Sequence, residues 1–400
     1  MKRIVSVLVA LALVGAAVAA MSTSAGAAEE QADGLVIGFA TAQTGFISAF
    51  DIPGVIGAKL AIDDLNKRGG VLGKKIKWVS ADTKSDIAKG SQAGQQVLAK
   101  GANALLVTPD FNFGGGAARE ADKKGVVAIS MGAGSPKFGV QGIGPLAFTM
   151  GIAATTDAAV AAEWGYIKKK FRTAYTLNDN TTDYDSDQCR GFTTRWKQLG
   201  GTLLGADTFK NGDPSIAAQV TRIKSLSTQP QFIMLCSYPP GGGVAIKQLR
   251  DAGVTSAIIS NGSMDGAFWF KNSIPRLSNF YFTASASVYG NDPSKPVNAF
   301  SKRYKAKTGD WPPNTFAVFG YMAVQALATA IAKTGTTDGK KVAAVIERFK
   351  REPLLGIPVS YTPKQHIDSW RAQRIMQVQN GKHSVAGSWS AKKQLPLFGG

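Results

Sequence analysis

Along the chain, short apolar runs rich in β-branched residues alternate with longer stretches in which apolar positions recur every three or four residues. Residues 35–40 read as a strand, and residues 53–67 as a helix with Val55, Leu60, Ile62 and Leu65 on one face. Strands are predicted at 75–81, 104–108 and 126–130, with helices at 87–100 and 115–124 between them. The pattern then repeats, with helices at 154–169, 186–199, 214–226 and 243–252, and strands at 173–177, 202–209, 231–236 and 257–260. Helices of this length between short strands build βαβ units and a parallel sheet.

A further strand is predicted at 280–286, helices at 297–307, 315–333 and 341–349, and two strands with a turn between them at 359–361 and 374–378. Two such series with no low-complexity linker imply an α/β protein of two doubly wound, Rossmann-like lobes joined by crossing segments. Ligands of such sheets sit beyond the carboxyl ends of the strands. That points to residues 41–50, 108–116, 131–136 and 237–243, all rich in Gly, Ser, Thr, Pro or aromatics.

The N-terminus departs from this pattern. Lys2 and Arg3 precede an uncharged apolar run at 4–20, and Ala25-Gly26-Ala27 offers small residues to a signal peptidase. This reads as a signal peptide cleaved after Ala27, the alternative being a retained anchor. No later stretch is expected to span a membrane. Removing Lys2 and Arg3 from the 46 basic residues leaves 44 against 27 acidic ones, a net charge of +17. The basic residues are dispersed, with Lys168-Lys169-Lys170 the longest run. A solvated basic surface is therefore favoured over a nucleic-acid partner. In an oxidising compartment Cys189 and Cys236 either pair or stay free, and their spacing fits no metal motif.

Few residues carry reactive chemistry. His366 and His383 are the only histidines, and no Ser–His–Asp or Cys–His set emerges. Asp183, Asp185 and Asp187 lack the glycine and the terminal glutamate of a calcium loop, so helix capping is the simpler reading. Gly114-Gly115-Gly116 lacks the Lys-Ser/Thr of a phosphate loop, and is read as a helix N-terminus offering amides to a small anion.

At several of these segments the chain resembles the substrate-binding proteins of branched-chain amino acid (Leu/Ile/Val) ABC transporters. Residues 37–45, IGFATAQTG, are similar to that family's first strand and turn; residues 57–66 with Gly69-Gly70-Val71-Leu72-Gly73 are similar to its helix and glycine signature. Asp82-Thr83-Lys84-Ser85-Asp86 resembles its following acidic segment, and the likeness runs from about residue 35 to 380. The resemblance implies a type I periplasmic-binding-protein fold with three crossovers, near 148–152, 283–287 and 355–360. Lobe one would hold residues 35–150 plus 286–356, and lobe two 151–285 plus 357–390.

The same resemblance implies a ligand site built from Phe50, from Asp110, Phe111, Asn112 and Phe113 after the third strand, and from Gly132, Ala133, Gly134 and Ser135 after the fourth. Tyr184, Tyr238 and Asp265 would complete it, with no cofactor and no metal. Gly134 stands where the family has a threonine, and Gly262 where it has the acid that meets an ammonium. These departures imply an aromatic or aliphatic carboxylate in place of leucine. The expected role is capture of an amino acid or carboxylate-like metabolite by hinge closure in the periplasm. The protein would act as a monomer that delivers to membrane permease subunits and would not be an enzyme; the alternative is a sensor that signals to a membrane receptor.

Overall fold

The computed structural model describes residues 34–398; the expected signal peptide lies outside them. Strands β1 (Val36–Thr41), β2 (Lys77–Asp82), β3 (Ala104–Val107), β4 (Val127–Ser130) and β5 (Ala147–Thr149) form a parallel sheet in the order β2-β1-β3-β4-β5. Helices α1 (Ser48–Lys67), α2 (Gly90–Ala99) and α3 (Phe111–Lys123) connect the first four of these strands. The second series follows as α4 (Ala154–Glu163), β6 (Thr173–Asp179), α5 (Asp183–Gln198), β7 (Thr202–Phe209), α6 (Ala217–Lys224), β8 (Phe232–Cys236), α7 (Gly241–Asp251), β9 (Ala257–Ser260) and β10 (Phe280–Ala284). Helices α8 (Lys295–Thr308), α9 (Phe316–Thr334) and α10 (Gly339–Ile346) and the hairpin β11 (Glu352–Leu354) and β12 (Ile357–Val359) come next. Finally β13 (Gln373–Gln379) and β14 (Lys382–Trp389) add antiparallel edges, giving the order β14-β13-β10-β9-β8-β6-β7.

Both sheets are covered on two faces, which is why their central strands are apolar throughout. Ile37, Phe39, Leu106 and Ile129 pack under α1 and α9, while Leu105, Val107 and Ala128 pack under α2 and α3. In the second sheet Leu177, Ile233, Leu235 and Ile258 face α6 and α7, while Ala174, Phe232, Met234 and Ile259 face α4 and α5. The chain passes between the sheets three times: from β5 to α4, from β10 to α8, and from β12 to β13.

The contact between α1 and α9 is tight because glycines stand at the crossing. A Cβ on Gly57 would lie 1.8 Å from the carbonyl oxygen of Ala317, and one on Gly320 would lie 1.8 Å from that of Gly54. Helix α1 begins at Ser48, five residues ahead of the expected start, with Pro53 inside it. Proline lacks the amide that would bond the carbonyl of Ala49. The side-chain amide of Asn314 donates to that carbonyl instead, at 3.0 Å. This one bond permits the early start and ties α1 to the turn that opens α9.

Other differences have equally local causes. Helix α9 is long and apolar enough to cross a membrane by length and composition, contrary to the expectation for residues after the leader; 78% of the window is buried, so it is a core helix. The strands near 359–361 and 374–378 do not form a hairpin with each other: β12 pairs with β11, and β13 pairs with β10 and β14. Strand β14 escaped the sequence pattern because KHSVAGSW is a half-exposed edge with little apolar signal.

Cys189 of α5 and Cys236 of β8 are bonded, across a sequence separation of 47. Closing a loop of that size restrains the unfolded chain, so replacing both cysteines by alanine should lower stability by about 2–4 kcal/mol in urea melts. Gly57→Ala should cost about 1–3 kcal/mol through overpacking against α9, whereas Gly69→Ser, whose Cβ would meet nothing within 4 Å, tests backbone strain alone.

Candidate functional site

Beyond the carboxyl ends of the strands lies a cavity of about 70 Å³ between the two sheets. Thr108 and Asp110 reach it from the end of β3, Gly132 and Gly134 from β4, and Gly151 and Ile152 from β5. From the second series come Thr182, Tyr184, Tyr238, Ser263 and Thr283, with Asp157 from α4. Phe50 of α1, Thr315, and Phe316 and Phe319 of α9 close the apolar side.

Of the residues expected at the site, Phe50, Asp110, Phe113, Gly132, Gly134, Tyr184 and Tyr238 line this cavity. Phe50 meets Phe316 edge-on, with ring centroids 5.3 Å apart. Phe46, at the rim, stacks on Tyr238 at 6.2 Å and meets Phe113 edge-on at 5.7 Å. The two glycines make room for rings: a Cβ on Gly134 would stand 2.3 Å from the Tyr184 ring, and one on Gly132 would stand 2.8 Å from Phe316. Gly134 thus leaves the space that the face of Tyr184 fills. Burial pushes the phenols of Tyr184 and Tyr238 upward, so both stay protonated.

The other expected residues do not line it. Phe111 turns outward, with Arg119 and Lys137 over its ring at 5.3 and 5.9 Å. Asn112 accepts from the backbone N–H of Asp183 at 3.3 Å, a link between α3 and α5. Ala133 packs in the apolar layer beneath α2 and α3. Ser135 Oγ lies 3.4 Å from Asp187 Oδ2. Asp265 is fully engaged, accepting from Thr315 N and Oγ1 at 2.7 Å and from the Tyr289 hydroxyl at 2.7 Å. It fastens the loop after β9 to the start of α9 and does not face the cavity.

The glycine run at 114–116 is not an anion cradle. It lies inside α3, and a Cβ on Gly114 would meet the Thr108 carbonyl at 2.5 Å, so these glycines serve close packing. Oδ1 of Asp110 already caps the helix, accepting from the amides of Asn112 and Phe113 at 2.7 and 3.1 Å. Of the acidic run, Asp183 pairs with Lys137, Asp187 with Arg190, and Asp185 with Thr182. Among the described residues no group of acidic, histidine or cysteine side chains is placed to hold a metal. His366 and His383 are stacked on Phe148 and Tyr289, burial lowers both rings to about 4, and neither lines the cavity.

Asp157 is the charged residue of the wall that sequence reasoning missed. It sits in the first turn of α4, just past the first crossing, where an acid reads as an ordinary helix-start residue. Its Oδ2 accepts from Thr283 Oγ1 and from Gln188 Nε2, each at 2.8 Å, while Oδ1 is buried with no partner. Burial raises its carboxyl to about 7 and that of Asp110 to about 6, the latter helped by the neighbouring charge of Asp183. Asp157 thus adds a second acid to the cavity wall beside the expected Asp110.

Four threonine hydroxyls of the wall share one orientation. Thr108 donates to Asp51 at 2.8 Å, Thr182 to Asp185 at 2.7 Å, Thr283 to Asp157 at 2.8 Å and Thr315 to Asp265 at 2.7 Å. Burial lifts the carboxyl of Asp51 to about 8 and that of Asp265 to about 6, and lifts that of Asp185 as well. Among the described residues no Lys, Arg or His lines the cavity.

A family model described as periplasmic binding protein matches residues 34–382. The Leu/Ile/Val-binding protein BraC3 of Rhizobium johnstonii is 24% identical over 86% of this chain and 93% of its own. The branched-chain amino acid binding protein LivJ of Streptococcus pneumoniae, solved with isoleucine, superposes with a TM-score of 0.78 at 22% identity, covering 91% of this chain and 100% of its own. A solute-binding protein of an ABC transporter from R. palustris, solved with benzoate, gives 0.73 at 17% identity, covering 91% of this chain and 98% of its own. With its two doubly wound sheets, three crossings and a cavity between them, the chain belongs to the periplasmic binding protein family and has the type I fold of the branched-chain amino acid binding proteins of ABC transporters.

Proposed function

We propose that this protein is the exported solute-binding component of an ABC importer, capturing a small metabolite between two lobes and delivering it to a membrane permease. One observation carries the reading: a cavity walled by both sheets, aromatic on most sides, at the carboxyl ends of the strands. Such a site shields its ligand only while the lobes are together, so uptake and release require a hinge motion, and the three crossings are where it would occur. The closed form is then the one a permease meets. The leader at residues 1–27 supports a periplasmic location, with the mature chain acting as a monomer. The role is binding and not catalysis. The relatives' ligands, branched-chain amino acids and an aromatic carboxylate, bring that size of solute to this chain; its charge is a matter for this chain's own wall.

Tyr184 and Tyr238 face the cavity from the second series, and each offers a broad, stiff apolar surface. Replacing either by alanine should weaken capture by about 1–3 kcal/mol. Calorimetry on the mature protein, with a ligand first found by thermal shift, is the check. Unchanged affinity in both variants would remove the cavity from the binding event and leave the proposed function without its support.

A further inference from the structure

Resting on that reading, we propose that the cavity selects a small organic cation: an ammonium group on an apolar body, with no carboxylate of its own. The first support is the unpartnered oxygen. Asp157 is 3% exposed, lines the cavity, and leaves Oδ1 with no hydrogen bond although Oδ2 has two. A buried carboxylate oxygen without a donor is expensive unless a ligand supplies one.

The second support is the direction of the wall's donors. A threonine hydroxyl has one proton to give and two lone pairs to offer. Those of Thr108, Thr182, Thr283 and Thr315 give theirs to protein carboxylates, so the hydroxyls present acceptors to a ligand. Gln373, also on the wall, donates its amide to the carbonyls of Arg371 and Ala372. The α3 amides that could hold a ligand's carboxylate are capped by Asp110. The side-chain donors that remain on the wall are neutral, the phenols of Tyr184 and Tyr238 and the hydroxyl of Ser263, so with Asp157 and Asp110 beside them the site suits an ammonium better than a carboxylate.

Asp157 faces Gln188 and Tyr184 from α5 and Thr283 from β10, and feels the charge of Arg371. Arg371 donates to the Met150 carbonyl at 2.8 Å and is not on the cavity wall. Asp110 feels Asp183, and the carboxyls of Asp51 and Asp185 act in the same direction on the region. Because burial raises Asp157 to about 7, a cation binds best once that carboxyl is ionised, and its binding expels a proton. A carboxylate ligand would do the reverse and take a proton up.

The test is calorimetry on the full mature protein with matched probes: isobutylamine, isobutyrate and L-valine; benzylamine, benzoate and L-phenylalanine. The amine of a set should bind at least tenfold tighter than its carboxylate and its zwitterion. Its affinity should rise about tenfold from pH 6 to pH 8, as the ionised fraction of a group titrating near 7 does, with proton release measured across buffers of different ionisation enthalpy. Asp157→Asn should weaken the amine tenfold or more, and Asp110→Asn should weaken it less, with both variants shown folded by thermal melts. Tighter binding of a carboxylate or zwitterion, or affinity falling as pH rises, overturns the cation and leaves capture standing. Failure of every probe to bind, whatever its charge, overturns capture itself and the cation with it.

Discussion

A buried aspartate accepting the hydroxyl proton of a threonine is the contact on which the cavity depends. Asp51 with Thr108, Asp185 with Thr182, Asp157 with Thr283 and Asp265 with Thr315 surround the space between the sheets. Each carboxyl is within 3% of full burial and would be costly there without donors. Because each threonine hydroxyl has only one proton, satisfying the carboxylate fixes what remains for the ligand. The pair at Thr315 also joins the loop after β9 to the start of α9, and so links the two sheets' elements.

The aromatic walls rest on a second constraint, the absence of side chains where rings must lie. Gly132 and Gly134 leave room for Phe316, Phe319 and Tyr184. Gly57 and Gly320 let α1 and α9 approach closely, and this sets Phe50 against Phe316. Asn314 supplies the bond that Pro53 withholds from Ala49, so the start of α1, where Phe50 sits, is held at its place. Packing and ligand recognition therefore share residues, and a change in either is felt in the other.

Much of this was legible in the sequence because period and punctuation agree. The alternation of β-branched runs with helical stretches gave the two series and the strand ends, and the family resemblance added Phe50, Asp110, Phe113, Gly132, Gly134, Tyr184 and Tyr238, which line the cavity. What was not legible depends on direction. Phe111 and Phe113 are two residues apart, yet one ring faces the cavity and the other faces Arg119, because α3 turns between them. Asp265 and Asp157 look alike in a string of letters; only the fold shows that the first is consumed by Thr315 and Tyr289 while the second keeps an open oxygen. Strand β14 lacked signal because an exposed edge needs no apolar alternation.

Hydrogen positions decide whether the wall accepts or donates, and neutron diffraction from crystals of the mature protein exchanged into heavy water locates them directly. At a pH above 8 the expected result is a deuteron on each of Thr108, Thr182, Thr283 and Thr315 lying on the line to its aspartate, with none on Oδ1 of Asp157. Threonine deuterons pointing into the cavity, or a deuteron held on Asp157 at that pH, would contradict an acceptor-lined site.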